Sequence, residues 1–193
     1  MPPIAASDTD EERGNDMSTP ADSGTAGRKT SGDGAIEGVF IRPLRRHADS
    51  RGWLCELYRE DELAAGIHPV MAYVSQTEPG VARGPHEHRD QTDYFAFIGP
   101  GDFELWLWDA RRDSATHGVR TREIYGQSNP CAVSIPPGVV HAYRCVSDVP
   151  GWVFNGPNRL YAGHGKKEPV DEIRHEHAAD SPYKLDDRPR SAP

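Results

Sequence analysis

Two short stretches, each with histidines beside turn residues, most constrain how this chain can fold. The first is Gly80–Gly101, in which His86 and His88 are separated by a single residue. Because alternate side chains of a β-strand point to the same face, both imidazoles can aim at one point. Asp93 follows just before an apolar run, and glycine and proline then predict a turn. We therefore expect a strand, a loop and a second strand that bring two imidazoles and a carboxylate together.

The second stretch, Ile135–His141, is a proline–glycine turn that places one more histidine at the start of a predicted strand. Three imidazoles and a carboxylate suit a divalent transition metal such as iron, manganese, zinc or nickel. We expect His86, His88, Asp93 and His141 to coordinate one such ion at about 2.0–2.3 Å, and we expect no organic cofactor.

Taken together, the two stretches resemble the two-part signature of the cupin superfamily. The rest of the chain agrees, because many short apolar segments recur at roughly ten-residue spacing, which is typical of a β-sandwich or barrel. We predict an all-β fold, a double-stranded β-helix (cupin jelly roll) with short peripheral helices. In such a fold, ligands bind in the mouth between the sheets.

Composition sets the limits of the domain and of its partners. Residues 1–34 are polar and small, so we predict a disordered segment, then a cupin domain at 35–183 and a flexible tail at 184–193. The net charge of −8 argues against nucleic acid and anionic membrane surfaces as partners. No stretch is apolar enough to span a membrane, and three scattered cysteines indicate reduced thiols, so we expect a cytoplasmic protein.

A closer resemblance rests on three motifs in order: Asp49–Glu56 (DSRGWLCE), Gly80–His86 (GVARGPH) and Pro136–His141 (PPGVVH). They resemble the dTDP-4-dehydrorhamnose 3,5-epimerase family, whose members are metal-free, usually homodimeric cupins that act on dTDP-linked keto-sugars. The resemblance implies a nucleotide-sugar substrate and a homodimer. It assigns nucleotide contacts to Arg51 and Glu56, the diphosphate to Arg83, and the role of general base to His86. We also expect His141 to be catalytic.

The chain departs from this family at three places. Asp93 aligns with a lysine of the family, and Phe154 lies near the position of the tyrosine that acts as the family's general acid. His88 occupies a position where glutamine is frequent. The changes remove a cation and a proton donor, and a metal acting as a Lewis acid would supply what the lysine provided. Inversion still needs an acid on the opposite face of the sugar, for which the sequence offers Tyr94, Tyr143 or Tyr161.

Three functions stay open at this point. The first is a sugar-nucleotide epimerase or isomerase of carbohydrate metabolism, with or without a recruited metal. The second is a metal cupin of another class, either a mononuclear iron oxygenase or a small-molecule isomerase. The third is a cupin that binds a sugar or nucleotide without catalysis. The ordered resemblance favours the first.

Overall fold

The chain folds into two antiparallel sheets, each of five strands. The computed structural model describes residues 35–63 and 66–185. The first sheet has the order β1-β9-β6-β11-β4, the second has the order β12-β5-β10-β7-β8, and β2 pairs with β3 as a separate hairpin. The strands are β1 (Phe40–Pro43), β2 (Arg46–Asp49), β3 (Gly52–Cys55), β4 (Tyr73–Thr77), β5 (Ala82–Glu87), β6 (Asp93–Phe97), β7 (Asp102–Asp109), β8 (Arg120–Gly126), β9 (Cys131–Ile135), β10 (Val139–Cys145), β11 (Gly151–Asn155) and β12 (Ile173–Arg174).

This order confirms the predicted cupin jelly roll. Strands that neighbour one another in a sheet are mostly distant in sequence, as when β6 pairs with both β9 and β11. All pairings are antiparallel. Such crossovers between two facing sheets are the topology of a jelly roll.

The main core lies between the sheets and follows the alternation of side chains along each strand. On β7, Phe103, Leu105 and Leu107 belong to the core cluster that also contains Phe97 and Tyr143. Because successive side chains point to opposite faces, the intervening residues of β7 lie on the outside of the second sheet. There Trp106 and Trp108 form a second cluster, covered by Tyr183 and Leu185. The C-terminal segment therefore packs along the outside of the sandwich.

Helical structure is limited to two 3-10 turns in the described part of the chain. They lie at Glu60–Glu62 and His164–Lys166. The charged stretch 163–177 contains the second turn and strand β12, which extends the second sheet. Nothing among the described helices is long and apolar enough to cross a bilayer. Predicted disorder at 1–34 and most of the predicted tail fall outside the described residues.

The three cysteines, Cys55, Cys131 and Cys145, are free thiols, as predicted. Cys131 and Cys145 are buried, and burial raises the pKa of the Cys131 thiol to about 12. These two side chains are therefore unreactive packing groups. A cytoplasmic location stays a prediction.

Candidate functional site

A pocket of about 880 Å³ opens between the two sheets at one end of the sandwich. That volume lies within the range of small-molecule sites. His86, His88 and Asp93 line the pocket, together with residues of β4, β11 and the segment 158–176. His141 completes the group from β10, and one potential ligand atom from each of the four residues lies within 4.8 Å of the others. The four residues predicted to converge do so, and we call them the histidine cluster.

Strand pairing places His86 beside His141. The two residues are cross-strand partners in the β5–β10 ladder, and their ring centroids lie 4.3 Å apart. The register shifts immediately afterwards, because Tyr143 pairs with Arg83. An irregularity of this kind re-aims side chains next to a site. Gly84 lies inside it at φ +80°, and a Cβ there would come within 2.6 Å of the His141 carbonyl oxygen. Only glycine therefore lets the two strands approach this closely.

Asp93 contacts two histidines of the cluster and Gln91. Its Oδ2 lies 3.1 Å from His88 Nε2 and 3.0 Å from His141 Nε2. Its Oδ1 accepts a hydrogen bond of 2.7 Å from the side-chain amide of Gln91, whose nitrogen also lies 3.3 Å from His88 Nε2. Asp93, His88 and His141 are all buried, so these contacts form away from bulk water.

Asp171 fixes the loop that carries His88. Its carboxylate accepts hydrogen bonds of 2.9 Å from each of three successive backbone N–H groups, those of Arg89, Asp90 and Gln91. Its backbone carbonyl accepts a hydrogen bond from His88 Nδ1. No local pattern in the sequence pointed to Asp171 or Gln91, because Asp171 lies some eighty residues beyond the loop that it holds.

The ring protons of two histidines follow from their backbone partners. His141 Nδ1 lies 3.0 Å from the Val139 carbonyl, and His88 Nδ1 faces the Asp171 carbonyl, so both Nδ1 atoms donate. In a neutral ring the opposite nitrogen, Nε2, then carries a lone pair. Both lone pairs point at the carboxylate of Asp93, and His141 Nε2 is a buried nitrogen without a hydrogen-bond partner among the described residues.

This arrangement fits a bound divalent cation. Metal-bound histidines characteristically donate their second ring N–H to a carbonyl or carboxylate, as His88 and His141 do here. Adjacent ligands at about 2.1 Å from an ion lie about 3.0–3.5 Å from each other, which matches the contacts of Asp93 with both rings. Without an ion, the lone pairs of neutral His88 and His141 would repel the carboxylate of Asp93. Protonation of the rings is the other way to relieve this repulsion.

Without a metal, the cluster separates the charge states of its histidines. Burial lowers the pKa of His86 to about 2, and the neighbouring His141 adds to that lowering. Burial alone would also lower the pKa of His88, but the hydrogen bond and charge of Asp93 outweigh it and raise that pKa to about 9. Burial would raise the pKa of Asp93, yet its contacts with His141 and His88 hold the pKa well below its usual range. At neutral pH, His86 is therefore an uncharged imidazole beside an ion pair.

Of the three predicted substrate-binding residues, the structure brings one to the pocket. Arg83 lines it, with Nε donating to Thr77 Oγ1 at 2.9 Å and one Nη donating to the Gln76 carbonyl. Arg51 and Glu56 do not line the pocket of their own chain. They lie on and just after the separate β2–β3 hairpin, where Arg51 pairs with the neighbouring Asp49.

Of the three tyrosines predicted as candidate acids, two line the pocket. Tyr94 was a wrong candidate, because its hydroxyl donates to the Leu57 carbonyl and its ring belongs to a cluster outside the pocket. Phe154 packs against that same cluster, so its position does not face the pocket either. Tyr143 and Tyr161 do line the pocket. Tyr73, which also lines it, was not singled out from the sequence, since it reads there as an ordinary strand residue.

Comparisons with known proteins show the family of the chain. Residues 33–165 match the family described as dTDP-4-dehydrorhamnose 3,5-epimerase. The chain is similar to the probable low-salt glycan biosynthesis epimerase Agl13 of Haloferax volcanii, with 35% identity over 127 residues, covering 65% of this chain and 81% of that protein. It is also similar to the spore coat polysaccharide biosynthesis protein SpsL of Bacillus subtilis, with 37% identity over 115 residues, covering 60% and 75% respectively.

A solved structure supports the fold. The dTDP sugar isomerase of Desulfovibrio desulfuricans superposes with a TM-score of 0.68 at 22% sequence identity, covering 77% of this chain and 91% of that one. At this level of identity the comparison bears on the fold alone. It agrees with the jelly roll described above.

Proposed function

Because this chain belongs to the dTDP-4-dehydrorhamnose 3,5-epimerase family, we propose that it epimerises a carbon next to the ketone of a dTDP-linked 4-keto-sugar, by removing the proton on that carbon and returning a proton to the opposite face. Membership makes it an epimerase-like enzyme of sugar-nucleotide metabolism, and it favours this reaction over an iron oxygenase or a binding protein. The sugar substrate and the carbon that inverts are parts of the proposal.

One observation carries the proposal: an uncharged imidazole, His86, lines the pocket beside a buried ion pair. A proton next to a ketone is removed by a base that is unprotonated at neutral pH, and the lowered pKa of His86 keeps it so. The charge then develops on the keto oxygen as an enolate. His88, held protonated by Asp93, supplies positive charge in the same cluster.

In this proposal, Arg83 binds the diphosphate of the substrate. Two of its nitrogens are held by Thr77 and Gln76, which fixes the direction of the guanidinium. The second Nη group makes no hydrogen bond to any described residue, so it can bind phosphate oxygens. The arginine lies on the same strand as His86, so the diphosphate and the sugar ring would bind along one edge of the pocket.

Exchange of solvent deuterium tests the reaction. We expect the wild-type protein to incorporate deuterium next to the ketone of a dTDP-4-keto-6-deoxy-sugar, followed by NMR, and the His86→Ala variant to lose this exchange. His117→Ala removes an exposed histidine and is the matched control. Equal exchange in the wild type and the His86→Ala variant would contradict the proposed site.

We also propose that His86, His88, Asp93 and His141 hold a divalent transition metal ion. The support is the pair of lone pairs directed at one carboxylate oxygen and the buried His141 Nε2 without a partner among the described residues. When bound, such an ion would supply Lewis-acid polarisation of the keto oxygen. Binding it engages the lone pair of His86, so the role of base belongs to His86 only in the metal-free protein.

Elemental analysis of protein purified without chelator tests the metal. We expect about one ion per chain in the wild type, a large loss in His88→Ala, and full occupancy in the control His117→Ala. Sub-stoichiometric metal in the wild type and in His88→Ala alike would leave the cluster as a polar pocket. In that case the protonated His88 would provide its positive charge.

We propose, further, that the protein is a homodimer in which the β2–β3 hairpin reaches the partner's pocket. The hairpin is a separate two-stranded sheet that exposes Trp53 and Leu54, at 51% and 61%. Exposed apolar side chains on an unsupported hairpin indicate a protein contact. This assembly would bring Arg51 and Glu56 to a nucleotide that their own chain does not reach.

Mixing variants tests the shared site. Arg83→Ala and Glu56→Ala damage opposite ends of the same composite site, so each alone is expected to be poorly active. Random reassociation should restore about a quarter of the wild-type activity, since half of the dimers then carry one intact site. A monomer by light scattering at micromolar concentration, in a chain lacking residues 1–34, would contradict the dimer.

A further inference from the structure

One wall of the pocket belongs to the edge of the first sheet, two strands away from β6, which carries Asp93. Strand β4 is the last strand of that sheet and pairs with β11, with Tyr73 opposite Asn155 and Ser75 opposite Val153. Tyr73, Ser75 and Asn155 all line the pocket, so they share the inward face. His86 and His141 lie on β5 and β10 of the second sheet.

Inversion at a carbon requires this second wall. The group that removes the proton lies on one face of the sugar, and the new proton must arrive from the other face. In the described part of the chain, four residues outside the histidine cluster bring a hydroxyl group to the lining of the pocket. They are Tyr73, Ser75, Tyr143 and Tyr161.

Two of these hydroxyls are committed to each other. Ser75 Oγ and the Tyr143 hydroxyl lie 3.2 Å apart, and Asn155 Nδ2 donates to the same Ser75 Oγ at 3.2 Å. Tyr143 is only 3% exposed and its ring packs within the core. Tyr161 lies in the turn after residue 158, and more than half of its surface is exposed at the rim. These positions suit structure and access rather than proton delivery.

Tyr73 differs from all three. It is about half exposed, it stands on a paired strand rather than on a loop, and its hydroxyl makes no hydrogen bond to any described residue. We propose that Tyr73 donates the proton on the face of the sugar opposite the histidine cluster, an assignment that rests on the proposed epimerase function.

The step balances as follows. Removal of the proton at the histidine cluster leaves the C–H electron pair in an enolate, with the negative charge on the former keto oxygen. As the enolate returns to the ketone, its carbon forms a new bond to the hydroxyl proton of Tyr73, and the O–H electron pair remains on the phenolate. The phenolate then takes a proton from solvent, to which Tyr73 is open, and the cluster releases its proton to solvent.

The environment keeps Tyr73 in the donor form. Burial raises its pKa to about 12, and the negative charge of Asp93 adds to the effect. The hydroxyl is therefore protonated at neutral pH before each turnover. This supports a donor and excludes Tyr73 as the resting base.

The test is Tyr73→Phe, assayed in deuterium oxide with a dTDP-4-keto-sugar, with Tyr183→Phe as the matched control, since Tyr183 does not line the pocket and packs on the outside of the second sheet. We expect formation of the inverted epimer to fall about 100-fold or more in Tyr73→Phe. Deuterium incorporation with retained configuration should stay within about threefold of the wild type, because the base alone can remove and return a proton. Tyr183→Phe should keep both activities.

The outcomes separate this assignment from the proposed function. If the wild type shows neither exchange nor inversion, the epimerase function fails and the role of Tyr73 fails with it. If the wild type inverts its substrate and Tyr73→Phe does so equally well, only the role of Tyr73 is overturned. Loss of both exchange and inversion in a folded Tyr73→Phe protein would also overturn the donor role.

Discussion

Removing the Asp171 carboxylate is the perturbation whose size the structure specifies best. The carboxylate accepts three backbone hydrogen bonds of 2.9 Å from the loop that follows β5. Burial alone would raise the pKa of Asp171, but these donors outweigh it and lower that pKa. Asp171 is therefore ionised at neutral pH, and its bonds are charge-assisted.

The expected loss of stability in Asp171→Ala follows from these three hydrogen bonds. A hydrogen bond to a charged group contributes roughly 1.5–3 kcal/mol, but the loop is partly exposed and water can replace some of the lost partners. We therefore expect Asp171→Ala to lower the free energy of unfolding by about 2–4 kcal/mol in total. For a domain of this size, that corresponds to a fall in Tm of about 4–15 °C.

Asp171→Asn should lose about half as much, because its amide oxygen still accepts a bond. Asp180→Ala is the matched control, since it removes the same charge from an exposed position in the same segment. Calorimetry or circular dichroism measures Tm for all four proteins. If Asp171→Ala and Asp180→Ala melt within about 1 °C of each other, the loop does not depend on the carboxylate, and the reasoning is refuted.

Three more changes have definite expected outcomes. Gly84→Ala places a Cβ against the His141 carbonyl at a residue with φ +80°, so we expect the free energy of unfolding, measured with urea, to fall by roughly 1–3 kcal/mol. Deuterium exchange should also be lost, and unchanged exchange would show that the close approach of the two strands is not required. Burial would raise the pKa of Asp109, but hydrogen bonds from Arg111 and other donors hold it below its usual range, so its carboxylate stabilises the fold above about pH 4 and this contribution is lost as the pH falls. Urea unfolding should thus show Asp109→Asn less stable than wild type at pH 7, with a smaller difference at pH 3, and a constant difference would contradict this. Phe97→Ala empties a fully buried site in the core and should cost about 3–5 kcal/mol in the same assay, whereas a loss below about 1 kcal/mol would mean that the core refills.

The sequence predicted the fold and the histidine cluster because both depend on local patterns. The HxH spacing and the proline–glycine turn before His141 are short-range signals, and strand alternation then brings them to one point. The apolar run that follows Asp93 also predicted strand β6. Strand β2 and strand β12 were not predicted, because both are short, polar and held by pairing partners rather than by composition.

Other parts of the site depend on contacts between distant residues. Asp171 reaches the loop after β5 only because the C-terminal segment returns along the sheet edge. Tyr73 and Phe154 face opposite sides of the first sheet, and which side faces the pocket depends on the register of β4 with β11. A one-residue change of register would exchange the two faces, so the sequence alone could not choose among the tyrosines.

Deuterium exchange in the presence of chelator tests the central proposal, that the histidine cluster is the site of proton exchange next to a ketone, together with the separate proposal that this exchange depends on a bound metal. We predict that the wild-type protein incorporates deuterium into a dTDP-4-keto-sugar, that a chelator abolishes this, and that a divalent metal restores it. Exchange that persists undiminished in chelator would contradict the metal and leave His86 as the base of a metal-free site. No exchange with any 4-keto-sugar, in a protein that holds stoichiometric iron, would contradict the epimerase function itself and favour an oxygenase.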